Sequence, residues 1–79
     1  MKHRFYSVLI LDYYGNAFDE WWEVSGGFEG ALETAFNKIE CDYYVKEIFF
    51  WNEDEDKPFA HVSRCGWSRY KDIPEYYYV

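Results

Sequence analysis

A chain of 79 residues makes one small domain with little core for its surface. Aromatic residues are 25% of it, more ring than such a core can hide, so some rings belong to the surface or to an interface. The formal charge of −7, from 15 acidic and 8 basic side chains, repels phosphate backbones and argues against direct nucleic-acid binding.

The segment Arg4 to Tyr14 reads as a long first strand, rich in β-branched and aromatic residues. Gly15-Asn16 suits a two-residue type II′ turn, and Ala17 to Ser25 is the returning strand. That loop predicts Tyr14 opposite Ala17, Asp12 opposite Asp19 and Leu9 opposite Trp22. Alternation then puts Phe5, Leu9, Leu11 and Tyr13 on the core face with Phe18, Trp22 and Val24. The other face receives Tyr6, Val8, Ile10, Asp12 and Tyr14 with Asp19, Trp21 and Glu23. Two acids facing each other across a strand pair cost stability, a cost that a basic partner would offset. A different turn length would dissolve the pair.

Ser25-Gly26-Gly27 breaks the strand and opens a helix. Phe28, Leu32, Ala35, Phe36 and Ile39 fall on one helical face, a core stripe. Glu29 and Glu33 lie near the helix start, where the dipole favours acids. Gly30 costs about 1 kcal/mol against Ala within a helix, for which close packing is the only account.

Tyr43 to Asn52 reads as the third strand and Phe59 to Trp67 as the fourth, joined by the acidic turn Glu53, Asp54, Glu55, Asp56. Pairing Asn52 with Lys57 sets Phe50 opposite Phe59 and Ile48 opposite His61. Two inner faces compete: Tyr44, Ile48, Phe50, Phe59 and Cys65, or Val45, Phe49, Trp51, Ala60 and Val62. The pattern does not choose between them. Residues 68–79 end in Tyr76-Tyr77-Tyr78-Val79, too apolar for a solvent tail, and read as a docked segment. The expected fold is therefore α+β: a four-stranded, largely antiparallel sheet with one helix packed on one face, in the order β-β-α-β-β, over a single domain of residues 1–79.

No catalytic, cofactor or metal motif stands out, and a non-enzymatic role is expected. His61 and Cys65 on one strand would lie about 13 Å apart at about 3.3 Å per residue, too far to share a metal. No Gly-rich phosphate loop is present, and Gly26-Gly27 is a strand-to-helix turn. The apolar run after Ser7 is far below a membrane span, which with the absence of a signal-peptide pattern suggests a cytoplasmic chain whose Cys41 and Cys65 stay thiols.

The charge is unevenly distributed. From Asp12 to Asp56 the bases are Lys38 and Lys46 alone, among acids that culminate in the Glu53–Asp56 turn. Carboxylates flanked by exposed rings can imitate phosphates flanked by bases. The expected partner-binding residues are therefore Asp12, Asp19, Trp21, Glu23, Glu53, Asp54, Glu55 and Asp56, offered to a basic nucleic-acid-binding protein.

In element order and in the acid-rich stretch from Asp12 to Asp56, the chain resembles the small inhibitors encoded by phages and mobile elements, anti-CRISPR proteins above all. The resemblance is one of size, charge and architecture, with no motif matched residue for residue. It implies stoichiometric inhibition in a bacterial host cell, with a basic DNA- or guide-binding surface of a Cas effector subunit covered. An immunity or antitoxin protein masking a basic nuclease is the alternative on the same physics. A self-associating structural module, such as a homodimer, is the third reading.

Overall fold

The computed structural model describes residues 4–24, 26–51 and 57–72. The fold is α+β. Five strands and one helix follow the chain as β1 (Arg4–Asp12), β2 (Ala17–Val24), α1 (Gly27–Cys41), β3 (Val45–Trp51), β4 (Pro58–Ser63) and β5 (Gly66–Arg69). The strands form one sheet in the order β2-β1-β3-β4-β5, every neighbouring pair antiparallel. The expected four strands become five because the chain reverses at Arg64-Cys65. Ser63 pairs with Gly66, whose φ of 133° suits glycine, and the Cys65 N–H donates to Ser63 Oγ at 3.3 Å. The stretch read as one strand, Phe59 to Trp67, is thus a hairpin.

The first hairpin differs from expectation in its loop. The Asp12 N–H donates to the Asn16 carbonyl at 3.1 Å, which leaves Tyr13, Tyr14 and Gly15 as a three-residue loop with Gly15 at φ 86°. Such a loop needs a residue of positive φ at its third position, a role for Gly15. The Asp12 carboxylate holds it closed, accepting from the N–H groups of Tyr14 (2.9 Å) and Asn16 (2.8 Å) and from the Asn16 side-chain amide (3.1 Å). Pairing accordingly sets Leu11 opposite Ala17, Leu9 opposite Asp19 and Ser7 opposite Trp21. The shift from the expected register is an odd number of residues, so the faces of β1 exchange. Val8 and Ile10 are core, while Leu9 and Leu11 lie half-buried on the other face and Tyr13 is exposed.

The helix begins where Gly26 (φ 81°) and Gly27 (φ 67°) turn the chain out of β2. It carries the chain from β2 to β3, which flank β1, and so it lies across one face of the sheet. Phe28, Ala31, Ala35 and Ile39 are buried there, with Leu32 and Phe36 packed at the margin. Ala31 belongs to the stripe as well, and its small side chain lets the helix sit close. The Phe28 ring meets Phe50, Phe59 and Trp67 at centroid distances of 5.6, 5.9 and 5.5 Å. Contacts of this kind add about 0.5–1.5 kcal/mol each beyond burial.

Two bulges decide the inner face of β3 and β4, which combines parts of both expected sets. Leu11 pairs with Glu47 but Asp12 with Val45, so Lys46 is the extra residue and is exposed. Phe50 pairs with Ala60 but Trp51 with Pro58, so Phe59 is extra and both Phe59 and Ala60 are buried. The core consequently takes Val45, Ile48 and Phe50 from β3 and Phe59, Ala60 and Val62 from β4. Residues 70–72 of the expected tail are exposed beyond β5, and residues 73–79 lie outside the described residues.

Candidate interaction surface

Because α1 covers one face, the other face of the sheet has no helix or strand over it among the described residues. Register brings Asp19, Leu9, Phe49, His61 and Ser68 into one row across all five strands. A second row holds Ala17, Leu11, Glu47, Ser63 and Gly66. Leu9, Leu11, Phe49 and His61 are half-buried. The His61 ring stacks between Phe49 (5.5 Å, 29°) and Tyr70 (5.3 Å, 17°), and the Tyr70 hydroxyl and His61 Nδ1 share a hydrogen bond. Three rings thus form a plate on the open face.

At the margin of that face runs β2, an edge strand. Alternation sets Asp19, Trp21 and Glu23 on its open side, all exposed, with Trp21 at 60%. Here the structure places three of the expected partner-binding residues on one stripe, a large ring between two carboxylates. On the helix side Glu20 accepts from the Trp22 indole N–H at 2.9 Å. Lys38 of α1 pairs with Asp42 at 3.2 Å, and the hydrogen bond to Asp42, aided by the charge of Glu20, raises the Lys38 pKa above its ordinary value despite some desolvation.

Asp12 stands apart from the stripe. It does not face Asp19, whose partner is Leu9, and it is only 6% exposed. Burial pushes its carboxyl up, but the hydrogen bonds from Asn16, Tyr14 and Gly15 outweigh that and hold its pKa below the ordinary 3.8. Its charge is already satisfied inside the loop, a structural employment. Glu53, Asp54, Glu55 and Asp56 lie outside the described residues.

Among the described residues, acids gather at the β2 edge and bases on the β4-β5 side, where Asp72 is the one exposed acid. Asp19, Glu20 and Glu23 line the β2 edge, with Glu29 and Glu33 exposed on the helix. Lys57, Arg64, Arg69 and Lys71 are exposed on the β4-β5 side. Arg64 caps the loop before β3, donating to the Tyr43 carbonyl at 3.3 Å.

Sequence reasoning missed the Phe49, His61 and Tyr70 plate, because it set His61 opposite Ile48. It also missed Leu9 and Leu11. The signal for these two was present: Asp-Tyr-Tyr-Gly starting at Asp12 has Asp first and Gly fourth, a turn pattern that competes with Gly15-Asn16.

Cys41 and Cys65 are free and exposed. Among the described residues no group of three or more His, Cys, Asp and Glu is arranged to hold a metal ion. No helix among them is long and apolar enough to cross a membrane. No protein-family model, curated protein or solved structure matches the chain.

Proposed function

We propose that the chain is a non-catalytic, stoichiometric protein inhibitor that covers a basic nucleic-acid-binding surface of another protein. The reading rests on Asp19, Trp21 and Glu23, an exposed ring between two carboxylates at the margin of an uncovered sheet face. Anions spaced around a planar ring offer a basic groove what a phosphate backbone and its bases offer. The anti-CRISPR resemblance makes a Cas effector subunit in the cytoplasm of a bacterial host the first partner to test. An immunity or antitoxin protein masking a basic nuclease would use the same surface, and a toxin encoded alongside would favour it.

The test is capture from host lysate at low and high salt, with the Asp19→Lys, Glu23→Lys double variant and Trp21→Ala as parallel baits. A basic nucleic-acid-binding protein held at low salt and shed at high salt is expected. Both variants should lose most of it while remaining folded. Equal capture by folded variants would remove this stripe from the mechanism.

A second reading has its own observation. The plate of Phe49, His61 and Tyr70 is apolar surface that a second copy of the chain could cover. A dimer insensitive to salt, with no basic partner captured, would favour self-association.

A further inference from the structure

We infer that the outer edge of β2 takes up an extended segment of the partner as an added antiparallel strand, and that this segment alternates basic and apolar residues. The inference rests on the proposed reading of a basic partner and specifies how that partner is held.

The two edges of the sheet are built differently. β5 has four residues, whereas β2 has eight that pair with β1 in one unbroken register, with no bulge and no proline. A long, regular edge presents unpaired backbone N–H and C=O groups along its length, the template for strand addition. Among the described residues no strand pairs with that edge. Its charges select what may add. Every charged residue of β2 is acidic, so a second β2 is repelled and a basic strand is attracted.

The faces of β2 then set the pattern of the added strand. On the open side Asp19, Trp21 and Glu23 follow one another at about 6.6 Å, two residues of strand rise. Side chains of an added strand stand beside them at the same spacing. Lys or Arg beside Asp19 and Glu23 would meet a carboxylate, and Arg beside Trp21 would stack on the indole. The helix side asks for something else. There the rings of Phe18, 45% exposed, and Trp22, half-buried, flank a single carboxylate, Glu20, which accepts from the Trp22 indole. Apolar side chains suit that side. The preferred segment therefore reads basic, apolar, basic, apolar, basic.

The probe is a blocked heptapeptide alternating arginine and valine, added at low salt to the 15N-labelled full chain. Three further peptides are compared: one with its arginines in a single block, and two carrying N-methyl groups on either the odd or the even residues. Strand addition predicts that the alternating peptide slows hydrogen exchange at every second β2 amide, those not bonded to β1. One N-methylated peptide should bind like the parent. The other should bind about tenfold or more weakly, since its methyl groups face β2 and remove the bonding edge. Trp21→Ala should weaken the parent peptide without moving the melting temperature.

Equal binding of both N-methylated peptides and the block peptide would overturn strand addition, yet leave a basic partner held by charge alone. Failure of every peptide to bind would also overturn it, and the lysate capture would then judge the wider reading separately. Protection of the β2 amides that grows with protein concentration in the absence of peptide would assign the edge to a second copy and overturn the inference.

Discussion

Phe49 and Phe50 are neighbours in β3, and they live in different environments. Phe50 points under the helix, is 0% exposed, and touches Trp22, Phe28 and Phe59. Phe49 points to the open face, half-buried against His61. The same contrast holds for Ile10 and Leu9, and for Val62 and His61. Neighbours along one strand, even two phenylalanines, are thus divided between stabilising the domain and forming its outer surface, and the division follows from where one helix crosses the sheet.

The comparison is tested most strongly by truncating both rings. Phe50→Ala should cost about 3–5 kcal/mol, the range for large core aromatics, enough to unfold much of so small a domain. Phe49→Ala should cost about 1–2 kcal/mol, because it loses only part of a burial. Urea unfolding monitored by far-UV circular dichroism measures both. Equal losses would mean that the open face is covered as completely as the helix side.

The next test concerns the loop that selects which face of β1 is inward. Asp12 has its pKa lowered in the folded chain, through hydrogen bonds that outweigh its desolvation. Its contribution is complete above the unfolded carboxyl value and disappears as pH falls through the lower folded value. Asp12→Asn should therefore reduce stability at neutral pH, and the gap from wild type should close under acid. Melting temperatures from neutral pH down to the acid limit check this. A gap that stays constant into acid would separate the loss from the carboxylate.

The smallest expected effect lies at the helix end. Lys38 and Asp42, an i,i+4 pair with side chains 31% exposed, should contribute about 0.3–0.5 kcal/mol. The Lys38 pKa is raised, so this contribution is present below the ordinary lysine value and is lost as pH rises through the higher folded value. Lys38→Met should lower stability by that amount at pH 7 and converge with wild type in strong alkali. Convergence already at neutral pH would show the pair to be idle.

Read from the chain alone, the helix was the clearest element, since Phe28, Leu32, Ala35, Phe36 and Ile39 recur at its period and every one packs on or beside the core. The strand segments before it were legible from their β-branched and aromatic content and from the Gly15-Asn16 break between them. The pairing between them was not, because it hung on one loop, where Gly15 can serve as the first residue of a two-residue turn or the last of a three-residue one. The side chain that decides is Asp12, whose local hydrogen bonds favour the longer loop. The stripe of Asp19, Trp21 and Glu23 survives this because alternation within one strand is independent of the neighbour's register. The pairing of Asp12 with Asp19 does not, because it depends on that register.

By itself the sequence determined an α+β chain with an amphipathic helix between strand pairs, and an excess of rings and acids that a small core cannot absorb. Those properties are local or compositional: a period, a breaker, a net charge. Tertiary structure alone decided that β1 lies between β2 and β3, that bulges at Lys46 and Phe59 bring both candidate faces of the second hairpin partly inward, and that Arg64-Cys65 splits the last strand in two. The physical reason is that strands are locally ambiguous about which side is inside. A shift of one residue exchanges the faces, and the tie is broken by the hydrogen bonds of one loop for β1 and by packing beneath the helix for β3 and β4.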